Sequence, residues 1–370
     1  MDDKNVIYKW RPKGIYFSIK LLIYFLREFL AELIYIIFNL FKSTVQGDLA
    51  IFKLNKKTIE RNFVDNSNEL LFFPPFDAHY GDVINLLFFS KSIFETREKK
   101  LTIVSSDHKL AKICKMFEHT DFRYYPTLKN RSIFWIMGPL YILIFGKVKE
   151  GRVNFINLTF SLFFEELIGV TTLSLFERKL GMKLTMNNVS LPLIDFEEKV
   201  HTNNRIAGLG FVRNRTVLVN IESRAISSTN VSLNFWKKTI NHLVERGFSV
   251  LLNNKIEQFE GPQIKYLHLE WNELIPAAEY CGNFISIRNG ICDLLQFTDI
   301  KLIIIYPILN IHGIIQNRFY FKFAQLYLNE LVSNPSNLIE LAYTPDLEDE
   351  LSSRIVKLIE SPDEINKITF

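Results

Sequence analysis

Short apolar runs alternate with amphipathic stretches twice along this 370-residue chain, and that rhythm restricts the fold more than any other feature. In the first half, LLFFP ending at Pro74, LTIVSS (Leu101–Ser106) and FRYY (Phe122–Tyr125) are separated by Val83–Arg97 and Lys109–Glu118. Strand-length apolar runs joined by helix-length segments predict β-α-β-α-β. VNFINL (Val153–Leu158) predicts one more strand, with a helix over Ser161–Leu180. Leu184–Asn204, holding Asn187, Asn188, Pro192, Asn203 and Asn204, loses periodicity and reads as a connection. The alternation restarts with TVLVNI (Thr216–Ile221), a helix Asn234–Arg246 stopped by Gly247, FSVLLN (Phe248–Asn253) and IKYLHL (Ile264–Leu269). A short helix near Leu274–Tyr280, NFISI (Asn283–Ile287), a helix Gly290–Phe297 and KLIIIY (Lys301–Tyr306) complete it, and Pro345–Glu360 reads as an acidic amphipathic helix. Uninterrupted apolar strands joined by helices favour parallel pairing with both sheet faces covered. The chain therefore predicts an α/β protein with two sheets.

Composition removes whole classes. Apolar residues make 48% of the chain, and with only 15 Gly and 12 Pro it is neither disordered nor collagen-like. The net charge of +4 is too mild and dispersed for a dedicated nucleic-acid binder, so no nucleic-acid partner is expected. Cys114, Cys281 and Cys292 form no CxxC pair, which suits a reducing compartment without disulfides. Thirty-three Phe and 14 Tyr point to a thick aromatic core or to a surface that touches lipid. The segment Gly14–Lys42 is the most apolar, but Lys20, Arg27, Glu28 and Glu32 interrupt it, leaving less than the roughly 18–20 residues a bilayer span needs. Wound as a helix, its charged residues fall in a sector about 140° wide, opposite Leu, Ile, Phe and Tyr. With Lys4, Lys9, Arg11 and Lys13 ahead of it, this helix suits an anionic membrane surface on the cytoplasmic side; packing on its own domain or a second subunit is the alternative. Phe134–Phe145 is too short to span and reads as a buried or interfacial helix.

Open parallel sheets bind ligands outside the carboxyl ends of their strands, so the residues following each strand carry the candidate chemistry. After the first strand comes Asp77-Ala78-His79-Tyr80-Gly81-Asp82, where Gly81 lets backbone approach a ligand and Asp77, His79 or Asp82 is a candidate proton acceptor; equally, Asp82 caps a helix. After TVLVNI, Glu222, Ser223 and Arg224 are candidates for a diphosphate site, Arg224 as the clamp, unless it is a surface residue paired with Glu222. Lys255 follows FSVLLN as a second positive charge. Arg288, Asn289 and Gly290 make a sharp strand-to-helix turn aimed at a ligand, and Asp293 either bonds a sugar or satisfies Arg288.

Other chemistries lack their residues. There is no GxGxxG or GxxxxGK[ST] phosphate cradle, no GxSxG elbow and no HExxH or paired-Cys spacing. No metal site and no cofactor is expected, which leaves cationic side chains and helix ends to neutralise a leaving group.

The stretch from TVLVNIESRAISS through FWKKTINHLVERGFSVLLNN to AEYCGNFISIRNGICDLLQFTDIKLIIIYP resembles the donor-binding half of heptosyltransferase-like glycosyltransferases, and HYGD is similar to that family's glycine-rich first turn. The resemblance covers about residues 70–310. It implies two Rossmann-like lobes of the GT-B type facing a central cleft, and together with the residue patterns the expected organisation is an amphipathic membrane-associating helix over 1–45, an acceptor-binding lobe over 46–200, a nucleotide-sugar-binding lobe over 201–345, and a last helix over 346–370 packing back on the first lobe. It further implies inverting, metal-independent sugar transfer from a nucleotide-sugar to a lipid-linked or surface-polysaccharide acceptor, in bacterial lipopolysaccharide or capsule assembly at the inner face of the cell membrane. The sequence departs from the family at DAHYGD, which has less glycine, and at Arg288–Asp293, where the family carries Thr or Ser and a His. A pyruvyl- or phosphosugar-transferring enzyme on the same scaffold, or a non-catalytic membrane-associated adaptor, is the rival expectation.

Overall fold

The computed structural model describes residues 69–72, 80–105, 107–124, 177, 182–184, 189–222, 231–307 and 337–360, with backbone alone at 71, 82 and 307. The expected amino-terminal amphipathic helix, the segment Phe134–Phe145 and the strand at Val153–Leu158 lie outside these residues.

Two parallel sheets form, as the alternation predicts. Strands β1 (Glu69–Phe72), β2 (Lys100–Ser105) and β3 (Thr120–Tyr124) pair in that order, with Leu70 opposite Leu101 and Ile103 opposite Phe122. The second sheet has six strands: β4 (Thr216–Asn220), β5 (Ser249–Leu252), β6 (Ile264–Tyr266), β7 (Asn283–Ile287), β8 (Lys301–Pro307) and β9 (Leu338–Tyr343). Their spatial order is β6-β5-β4-β7-β8-β9, all parallel. This is the doubly wound order 3-2-1-4-5-6, in which strand order reverses between β4 and β7. Every residue of β4 is buried, as befits a strand covered on both faces.

Helices α1 (Tyr80–Leu87), α2 (Ser90–Arg97) and α3 (Lys109–Cys114) serve the first sheet. The helix expected over Val83–Arg97 is thus two, because Phe88 and Phe89 are both buried and Phe88 turns onto Phe117 and Phe297. Helices α4 (Phe196–Gly208), α5 (Leu233–Glu245), α6 (Trp271–Cys281), α7 (Gly290–Leu295) and α8 (Glu348–Glu360) follow. Helix α4 corrects the reading of Leu184–Asn204 as aperiodic connection: Asp195 caps it by accepting from Glu197 N at 2.8 Å, and only Thr202 and Ile206 are buried, too few to show a period. The expected boundary at 200 falls inside α4, which packs on α6 through Lys199–Glu279, Arg205–Glu273 and the Asn272–Glu198 hydrogen bond.

Helix α8 packs on α5 of the second sheet over Glu348–Glu360. Its apolar face, Leu351, Ile355, Val356, Leu358 and Ile359, is buried. Glu348 accepts from Ser232 Oγ at 2.6 Å and from Tyr343 Oη at 2.5 Å, tying the starts of α5 and α8 to the end of β9. Leu70, Phe72, Val83 and Ile84 belong to the same buried apolar cluster as Leu218, Leu251, Ala278 and Phe284, so the two sheets share one core.

Candidate functional site

Strand order reverses between β4 and β7, and it is at the carboxyl ends of strands at such a reversal that open α/β sheets bind ligands. A polar network is built there. Asn220, the buried last residue of β4, donates through Nδ2 to the Glu222 carbonyl at 2.8 Å and to Ser286 Oγ at 3.2 Å. Its Oδ1 accepts from Asn253 Nδ2 at 3.3 Å, linking the end of β5. Asn289 Nδ2 donates to the same Glu222 carbonyl at 3.1 Å and to Ser286 Oγ at 2.9 Å, while Asn289 Oδ1 caps α7 by accepting from Ile291 N at 2.9 Å. Glu222 Oε2 accepts from Asn254 Nδ2 at 2.9 Å, and the neighbouring Lys255 is exposed, with no ion pair among the described residues. The carboxyl ends of three adjacent strands are thereby held in one hydrogen-bonded arrangement, with a carboxylate and an ammonium at its outer side.

Arg288 is placed differently. Its side chain is 7% exposed and its guanidinium grips Asp293 with two bonds of 2.6 Å, Nη1 to Oδ2 and Nη2 to Oδ1, while Nη1 also donates to the Asn289 carbonyl at 2.7 Å. Burial disfavours the cation, but the attraction and hydrogen bonds of Asp293 outweigh it and hold the guanidinium charged. Asp293 thus satisfies Arg288, one of the two readings its position allowed. Asp293 Oδ1 also accepts from Asn85 Nδ2 on α1 at 2.9 Å, and Asn85 Oδ1 accepts from Gln296 Nε2 at 2.9 Å. Nearby, Tyr306 donates to Glu340 Oε1 at 2.5 Å; burial first, then Glu340, pushes this phenol well above its ordinary pKa.

Gly81 and Gly290 are where α1 meets α7. A Cβ on Gly81 would lie 2.2 Å from Asp293 Oδ2, and one on Gly290 would lie 2.9 Å from Gly81 N and 3.4 Å from Tyr80 Cβ. In this structure both glycines serve close helix approach. The first turn of α7 is engaged by Asn289 and faced by Gly81.

Among the residues singled out in the sequence, the structure therefore brings together Glu222, Asn289 and, beside them, Lys255, and it gathers Gly81, Arg288, Gly290 and Asp293 into the buried α1–α7 contact. Asp77, His79, Ser223 and Arg224 lie outside the described residues, as does the side chain of Asp82. Asn85, Asn220, Ser286 and Gln296 were not anticipated; the visible signal was one polar residue set inside an otherwise apolar run, as in VINLLFF and DLLQF. Among the described residues no group of three or more His, Cys, Asp or Glu is placed to hold a metal ion, and no helix is long and apolar enough to cross a membrane.

No family model matches the sequence, and no curated protein is found similar to it. Solved structures do match. E. coli ADP-heptose LPS heptosyltransferase II superposes with a TM-score of 0.52 at 10% identity, over 81% of this chain and 100% of that one. A family 9 glycosyl transferase from Veillonella parvula gives 0.50 at 11% identity, over 82% of this chain and 96% of that one. The fold is that of the heptosyltransferase-like glycosyltransferases. The match extends over nearly the whole of both neighbours, so the fold likeness takes in both sheets and not the second alone.

Proposed function

We propose that this protein is a glycosyltransferase that moves a sugar from a nucleotide-sugar donor to a lipid-linked or surface-polysaccharide acceptor. The observation that carries the reading is the polar network of Asn220, Glu222, Ser286 and Asn289 at the β4–β7 reversal, on a fold shared with a heptosyltransferase. The donor's nucleotide occupies that reversal, and its diphosphate is met by Lys255 and by Arg224 and Ser223 in the segment following Glu222. With the α7 turn already engaged, side-chain cations and not the helix end neutralise the leaving group. No metal ion is needed in this scheme.

The first sheet takes the acceptor. Its hydroxyl attacks the anomeric carbon from the face opposite the diphosphate, Asp77, His79 or Asp82 takes the hydroxyl proton, and the diphosphate leaves with the electron pair of the broken bond, inverting the centre. Asp77 and His79 precede α1 in the sequence and Asp82 belongs to its first turn, and Tyr80 and Gly81 of that helix lie against Gly290. The amphipathic pattern of Gly14–Lys42, with Lys4, Lys9, Arg11 and Lys13 ahead of it, supports action at the cytoplasmic face of the membrane, where a lipid-linked acceptor is reached.

The test is calorimetry of the purified protein against ADP, UDP, GDP and CMP, beginning with ADP because the E. coli neighbour is named for ADP-heptose. One nucleotide binds, and Arg224→Ala and Lys255→Ala each weaken it by about tenfold. Failure of every nucleotide to bind overturns the reading.

A further inference from the structure

The carboxyl edge of the three-stranded sheet carries a second group of side chains that the sequence did not single out. Tyr80 stands at the start of α1, Asp107 and His108 follow β2, and Tyr124 ends β3. Tyr80 Oη donates to Asp107 Oδ2, and Asp107 Oδ1 accepts from Lys109 N at 2.9 Å, so this half-buried carboxylate is fixed in direction. His108 and Tyr124 stack with ring centroids 3.8 Å apart and planes 17° apart. They do so in the open: Tyr124 is 40% exposed and His108 is exposed, whereas Phe72, Phe88, Phe89, Phe235 and Trp236 are fully buried. Tyr80 is steadied by an edge contact with Trp271 at 5.1 Å and lies against Gly290 of the second sheet.

A rigid aromatic face beside an oriented carboxylate is the combination that binds a polyol ring. The apolar C–H face of a sugar covers the rings while the carboxylate accepts from its hydroxyls. We infer that Tyr124, His108 and Asp107, braced by Tyr80, form a saccharide-binding site at the carboxyl edge of the first sheet. It deepens the glycosyltransferase reading and rests on it: this is where the terminal sugar of the acceptor docks.

The experiment is saturation-transfer difference NMR on the full-length protein with methyl α-mannoside, methyl β-galactoside and methyl β-glucoside as probes. At least one glycoside shows transfer concentrated on the ring protons of one face. Tyr124→Ala and Asp107→Asn each lower its affinity about tenfold, while Tyr124→Phe, which keeps the ring, stays within about twofold of wild type. Circular dichroism melting confirms that the variants are folded. Absence of transfer from all three glycosides, or transfer unchanged in folded Tyr124→Ala, overturns the inference. Nucleotide binding measured on the same samples keeps the two readings apart: a protein that binds nucleotide and no glycoside loses only this site, and one that binds glycoside and no nucleotide loses the transferase reading.

Discussion

Replacing Gly81 by Ala puts a methyl carbon 2.2 Å from Asp293 Oδ2, about 1 Å short of the ~3.3 Å at which C···O contacts ordinarily begin. A carboxylate at the tip of a free side chain would swing aside. This one is pinned by two bonds to Arg288 and a third from Asn85. Two routes relieve the overlap. Moving Asp293 breaks a buried ion pair, at about 3–5 kcal/mol. Moving α1 by about 1 Å strains the buried Val83, Ile84, Leu86 and Leu87 contacts, at about 1–3 kcal/mol. That movement also loses the Asn85–Asp293 hydrogen bond, at about 1 kcal/mol. The second route is the easier, so Gly81→Ala destabilises by about 2–4 kcal/mol. The control is Gly208→Ala at the end of α4, where an added Cβ meets nothing within 4 Å and helix propensity gains about 0.5–1 kcal/mol. Urea denaturation followed by circular dichroism reads both. Adding Asp293→Ala to Gly81→Ala costs little beyond Asp293→Ala alone, because the atom struck is gone. A Gly81→Ala protein within about 0.5 kcal/mol of wild type refutes the reasoning.

Arg288→Met leaves Asp293 buried and without its ion-pair partner, and lowers stability by about 3–5 kcal/mol; Arg288→Met with Asp293→Leu recovers most of it, measured by the same unfolding curves. Burial pushes the Cys114 and Cys281 thiols up to about 12 and Cys292 to about 11, from an ordinary value of 9.0. The native state therefore holds protons that the unfolded chain releases, so stability falls as pH rises from about 9 towards 12, and native thiols resist Ellman's reagent at pH 8 until urea is added. Asn289→Asp keeps the α7 cap but turns the donor to Glu222 and Ser286 into an anion: nucleotide affinity falls by about tenfold with stability changed by less than about 1 kcal/mol. Asn289→Ala loses cap and junction together, and calorimetry beside unfolding curves separates the two variants.

The strands of both sheets were legible because a parallel sheet buried on both faces writes itself as unbroken apolar runs: β7 begins and ends where NFISI does, and β4 stops one residue short of TVLVNI. Two elements were not. Strand β9, LIELAY, carries Glu340 in its middle, a buried charge that breaks the run and is accounted for by Tyr306 on the adjacent strand. Helix α4 covers α6 with ion pairs and two buried side chains, so it has almost no apolar stripe to read. Of the network at the β4–β7 reversal, Glu222 and Asn289 stood out in the sequence because they follow strand-length apolar runs, while the strand order itself was not legible. The network's inner members, Asn220 and Ser286, are polar residues set in the apolar runs TVLVNI and NFISI, a signal that marks their positions without naming the partners they bond.

Arg288, Gly290 and Asp293 show why a strand-to-helix turn is ambiguous before its surroundings are known. A glycine there admits close approach by any group, and its spacing is the same whether that group is a phosphate or a neighbouring helix. What settles the matter here is the second glycine: Gly81 and Gly290 remove a Cβ from each side of one contact, and each would collide with protein atoms if restored. An arginine beside such a contact is out of reach of water, so its charge has to be met from within, and Asp293 meets it bidentately. The pair then fixes the turn from beneath, Arg288 through the Asn289 carbonyl and Asn289 through Ser286 and Glu222. The charge of Arg288 is therefore taken up within the fold, by Asp293 and the Asn289 carbonyl, while Lys255, just after the neighbouring strand β5, is exposed.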